Sequence, residues 1–124
     1  RVQAADVTSL SKTFAERYGS YSNESNFANL KDVLPLMTDA FAERTRSFIE
    51  TAVAPDTYQG VSTRVISVEV VSRDETQGKS TVRVSTQREK AVDSPQNISV
   101  RYEDLLITFE RVGEEWFVAA AVWQ

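Results

Sequence analysis

The sequence predicts an α+β fold in which three N-terminal helices pack on a curved, four-stranded antiparallel sheet, and three observations lead there. Apolar residues recur at three- and four-residue intervals up to Ala52; the period changes to two from Val61 onward; and the closing run Trp116 to Trp123 is apolar at every position. A strand made from that run is greasy on both faces, so each face needs a cover. The chain's own helices supply one.

Taking the elements in order, Val7, Leu10, Phe14 and Tyr18 mark one face of a first helix, which Gly19 is expected to close in a left-handed cap. Ser20 to Asn26 is rich in Ser and Asn and reads as a surface turn. Leu30, Val33 and Leu34 give a short second helix that Pro35 must stop or kink, because proline lacks the amide proton. Thr38 reads as the N-cap of a third helix, with Asp39 well placed against its dipole. That helix presents Phe41, Thr45, Phe48, Ile49 and Ala52 on one side and Glu43, Arg44 and Arg46 on the other, before Pro55 ends it.

The strands follow. Ile66, Val68 and Val70 share a face of the first, and a hairpin through Gly78 leads to a second with Val82, Val84 and Thr86 in phase. In the third, Ile98, Val100 and Tyr102 have one parity whereas Leu105, Ile107 and Phe109 have the other, so a β-bulge is expected near Glu103 or Asp104. Gly113 turns the chain into the final strand. The predicted core is Phe14, Phe41, Phe48, Ile66, Val68, Val84, Ile107 and Phe109.

Composition narrows the function. A length of 124 residues fits one domain, spanning residues 1–124, and the hydrophobic (41%) and charged (26%) fractions are those of a chain that folds. A net charge of -4 without a basic stripe argues against nucleic acid as partner. No apolar run is long enough to span a bilayer. We read the start at Arg1, in place of methionine, as the mark of an excised or processed chain with a signal or anchor upstream.

Three N-terminal helices with a kink at Leu34-Pro35, a long curved sheet, and the ending Gly113-Glu114-Glu115-Trp116-Phe117-Val118 with Trp123 together resemble the nuclear-transport-factor-like, or cystatin-like, α+β roll. Within that superfamily the chain looks most like the periplasmic domains of membrane-anchored assembly factors of type IV secretion and conjugation machines. The resemblance implies a scaffold, tethered outside the cytoplasm and joined to neighbours through sheet and helix surfaces. The fold also hosts unrelated functions, so the residues must be weighed themselves.

With no histidine and no cysteine, the commonest general base and the best nucleophile are missing. No cofactor is expected, and no metal, since the acidic doublets Asp74-Glu75 and Glu114-Glu115 lack the spacing of a calcium loop. One candidate site is the mouth of the roll's apolar cone, where Tyr102 and Asp104 would meet Arg88 and Lys90 and take an anionic small molecule. Against it stand the ordinary roles of an inward tyrosine as packing and of Arg and Lys as solvated ends. Glu69, Arg83, Arg101 and Glu103 read as a solvated sheet face, and the sequons at Asn23 and Asn97 matter only in a glycosylating host.

The other candidate is an interface on the last strand, with Phe117, Ala119, Ala121 and Trp123 as its exposed face. The favoured expectation is a non-catalytic module that self-associates as a homodimer, or docks a protein partner, through that face. A small-molecule binder or cofactor-free enzyme using the cone is the alternative, and an immunity or inhibitor protein a third.

Overall fold

A computed structural model describes residues 2–22, 27–53 and 57–124. Helix α1 spans Val2–Tyr18, α2 Ala28–Val33, a 3-10 turn Leu34–Leu36, and α3 Asp39–Thr51. The strands are β1 Tyr21–Ser22, β2 Gln59–Asp74, β3 Lys79–Val92, β4 Ile98–Val112 and β5 Glu115–Trp123. They form one antiparallel sheet in the order β1-β2-β3-β4-β5, with the helices on its concave side. The α+β reading holds, with one more strand than the sequence predicts because Tyr21 and Ser22 pair with Val61 and Gly60.

Local chemistry sets the helices. Thr38 caps α3 as expected, its hydroxyl accepting the Phe41 N–H at 3.3 Å. Pro35 sits in the first turn of the 3-10 segment, where its missing N–H costs nothing. Gly19 is not left-handed; among the described glycines, positive φ occurs at Gly78 and Gly113, in the hairpin turns. Gly19 is required for closeness, since a Cβ there would lie 2.7 Å from Thr63 Oγ1 and 3.0 Å from Trp123 Cζ2. Asn23 and Pro55 lie outside the described residues.

The core joins α1 to the middle of the sheet. Val7, Phe14, Val82, Val84, Leu105, Ile107, Phe109 and Val118 are completely buried, each contributing roughly 1.5–3 kcal/mol of hydrophobic stabilisation. Tyr18 stacks on Phe14 at 4.7 Å, and burial pushes its phenol above its ordinary pKa. Phe41 and Val68 are partly buried against this cluster.

Two predicted core residues are on the surface. Ile66 is 55% exposed because β2 carries a bulge between Val65 and Ser67, which gives Thr63 and Val65 the inward parity before it and Val68 the inward parity after it. Phe48 is 54% exposed because α3 enters the core through Ala42 and Thr45, and it meets Phe27 edge to face at 5.9 Å. The bulge expected near Glu103 is absent: β3 and β4 pair in one register from Lys79↔Glu110 to Ala91↔Ile98. Ile98, Val100 and Tyr102 therefore stand on the convex face, opposite to Leu105, Ile107 and Phe109. A bulge occurs in β5 instead, at Ala119, since Thr108 pairs with Ala120 and Phe109 with Val118.

Candidate functional site

Arg88 is the most connected side chain at the cone's mouth. It extends from β3 with the inward parity of Val82 and Val84, and such a charge needs partners when it leaves water. It finds them all nearby. Nε donates to Thr63 Oγ1 at 3.1 Å, Nη1 to Glu103 Oε1 at 3.0 Å and Nη2 to the Gly19 carbonyl at 2.9 Å. Its guanidinium also lies over the Trp123 ring, 3.9 Å from the centroid. Each nitrogen makes one of these bonds, so the group holds the end of α1 to β2, β3, β4 and β5.

The four cone-mouth candidates do not converge. Arg88 and Lys90 face the concave side, whereas Tyr102, 72% exposed, and Asp104 face the convex side, so the sheet itself separates the pairs. The cause is the missing bulge in β4. Asp104 lies 4.0 Å from Arg83, which also pairs with Glu69 at 3.3 Å on the convex face, whereas Arg101 and Glu103, expected on that same solvated face, stand on the concave side because β4 has no bulge.

The four interface candidates divide in the same way. The bulge at Ala119 changes the parity of β5, so Trp116, Val118, Ala121 and Trp123 face the core, and Phe117 points away from it. Trp123 is half-buried by its own chain. Phe117 is left half-buried beside a groove of about 440 Å3 formed with Leu10 and Thr13 of α1, Pro35 and Leu36.

Trp116 lines the same groove, and sequence reasoning missed its surroundings. Arg73 and Arg111 each place a guanidinium 5.3 Å from its ring, and Glu75 in the β2–β3 turn binds both arginines. The hydrogen bond from Arg73, helped by Arg111, holds the Glu75 carboxyl below its ordinary pKa. The Trp116 ring is buried, yet its indole N–H has no acceptor among the described residues. A donor in that state costs free energy that an acceptor supplied from outside would recover.

A second cleft, of about 370 Å3, lies on the helical side between Tyr18, Phe41, Arg44, Phe48 and Trp123. Arg44 lies 5.5 Å from the Phe41 centroid and is exposed on the rim. The described residues contain no group of three or more acidic side chains arranged to hold a metal, and no described helix is long and apolar enough to cross a membrane.

This arrangement of helices on one antiparallel sheet is the α+β roll that the sequence predicts, and solved structures of type IV secretion proteins share the fold. The chain superposes on the periplasmic domain of DotI with a TM-score of 0.73 at 12% identity, covering 97% of this chain and 94% of that one. CagV of Helicobacter pylori, a VirB8 homologue of the type IV secretion system, gives 0.71 at 10% identity, with 97% of each chain covered. TraE, solved in complex with 2-(2-furyl)isonicotinic acid, gives 0.66 at 13% identity, covering 97% and 95%. No family model and no curated protein matches the sequence.

Proposed function

We propose that the chain is a non-catalytic protein-docking domain of a membrane-anchored secretion or envelope assembly, placed outside the cytoplasm, and that it self-associates through the groove between α1, the 3-10 turn and β5. The observation that carries this reading is the pairing of a half-buried Phe117 with a buried Trp116 whose N–H lacks an acceptor, both lining one groove. An aromatic anchor beside an unfilled donor is what the centre of a protein interface supplies. The shared roll of a VirB8 homologue and of a domain described as periplasmic supports the setting.

The test is Phe117→Arg followed by sedimentation velocity over a wide concentration range. Phe117 faces away from the core, so the variant should fold, and its dimerisation should weaken at least tenfold. If the unmodified chain stays monomeric at millimolar concentration, the self-association reading fails.

A second reading is a small-molecule site in the helical-side cleft, favoured by the aromatic walls of Tyr18, Phe41 and Trp123 with Arg44 as cation. TraE in complex with an aromatic carboxylic acid is a precedent on the same fold. Titration with that acid, read at the amides around Arg44, would establish or remove this alternative.

A further inference from the structure

The convex-face residues Ile98, Val100 and Tyr102 belong to a part of β4 that β5 does not reach. β5 pairs with β4 only from Leu105 to Val112, whereas β3 pairs with it back to Ile98. Among the described residues, no strand lies beside the outer edge from Ile98 to Glu103. The Asp104 carbonyl accepts the Gln124 N–H on that side at 2.9 Å. In an antiparallel ladder alternate residues aim their N–H and C=O the same way, so Tyr102 and Val100 present theirs to the open edge.

An open edge flanked by exposed apolar side chains is a template for another strand, and proteins ordinarily blunt it. Here Ile98, Val100 and Tyr102 are 54%, 50% and 72% exposed. The concave side of the same segment is cationic. Arg101 is exposed on β4, and Lys90 lies across from Ser99, with neither in an ion pair among the described residues.

We infer that the Ile98–Glu103 edge binds, by strand addition, an extended segment of a protein partner in which apolar residues alternate with Asp or Glu. The period of two lays the partner's apolar residues beside Ile98, Val100 and Tyr102 and its carboxylates beside Arg101 and Lys90. A second copy of this chain fits worse. Antiparallel pairing about Val100 would bring Arg101 near its own counterpart, with Lys90 behind each, and concentrate like charge. This edge is a different surface from the groove at Phe117, so either proposal can fail without the other.

The experiment titrates the isotopically labelled natural polypeptide with a capped seven-residue peptide alternating valine and glutamate. The amides of Val100 and Tyr102 should shift, and the peptide with lysine for glutamate should bind at least tenfold more weakly. Val100→Pro removes an N–H that faces the open side, where proline is tolerated, and should abolish binding. Arg101→Glu leaves the backbone intact and should reverse the preference between the two peptides, which decides the matter if the proline variant does not fold. Phe117→Arg should bind the peptide unchanged. Equal binding of the two peptides, shifts confined to the Phe117 groove, a dimer that Val100→Pro dissociates, or a Val100 amide already protected by residues following Gln124 would each overturn the proposal.

Discussion

Arg88 lies 3.9 Å from the centroid of the Trp123 ring while its Nη2 donates to the Gly19 carbonyl, so one side chain ties the last strand to the end of the first helix. The contact is enclosed: the Arg88 side chain is 12% exposed and that of its partner Glu103 is 26% exposed. An ion pair in such a place matters most when one member is removed, because the other stays behind uncompensated.

Arg88→Lys keeps the charge but loses the planar fork that reaches Thr63, Glu103 and Gly19 together. The expected cost is about 2–3 kcal/mol, read as a lower urea midpoint with an unchanged slope. An effect within 0.5 kcal/mol would show that the bonds do not act as a unit.

Gly19→Ala places a methyl 2.7 Å from Thr63 Oγ1 and 2.9 Å from the Ala15 carbonyl, neither of which can withdraw without breaking its own bonds. Overpacking of this kind costs roughly 1–3 kcal/mol. Calorimetry should show a clear fall in Tm. A neutral or stabilising effect, as at a loose helix end, would contradict the close approach.

The bulge in β2 makes opposite demands on two neighbours. Ile66→Thr should change stability by no more than about 0.5 kcal/mol, because the side chain is already in solvent. Val68→Ala should cost about 1–2 kcal/mol, since Val68 packs on the core. Reversal of that order in chemical denaturation would restore the parity that the sequence predicts.

Glu75 gives a pH dependence. Its carboxyl is held below the ordinary value of 4.5, chiefly by the hydrogen bond from Arg73, which together with Arg111 outweighs the opposing effect of desolvation. A carboxylate with a depressed folded pKa contributes stability that is fully present above the unfolded pKa and is lost as pH falls through the folded one. Stability should therefore decline below about pH 4.5, and Glu75→Gln should make that acid limb shallower while leaving the curve near neutrality with the same shape.

The order of elements, the Thr38 cap, the Pro35 interruption and most of the core were legible because each rests on local chemistry or on an unbroken period. Parity breaks were not. Thr63 and Val65 against Val68, and Ile98 to Tyr102 against Leu105 to Phe109, are the same pattern in a sequence, yet the first is a bulge and the second an apolar outer face. Both arrangements suit the apolar residues, and only pairing with the neighbouring strand selects between them. The same limit hid the shift at Ala119, which separates Phe117 from Ala121 and Trp123, and the meeting of Arg73, Glu75 and Arg111 around Trp116.

The Arg88 attachment also orders the birth of the molecule. Helix α1 is synthesised before β5, and the Gly19 carbonyl, reached first by Thr63 44 positions on, gains its second donor from Arg88 69 positions downstream, beneath an indole made later still. The attachment is therefore complete only after β5 has been made, and contacts so distant along the chain slow folding.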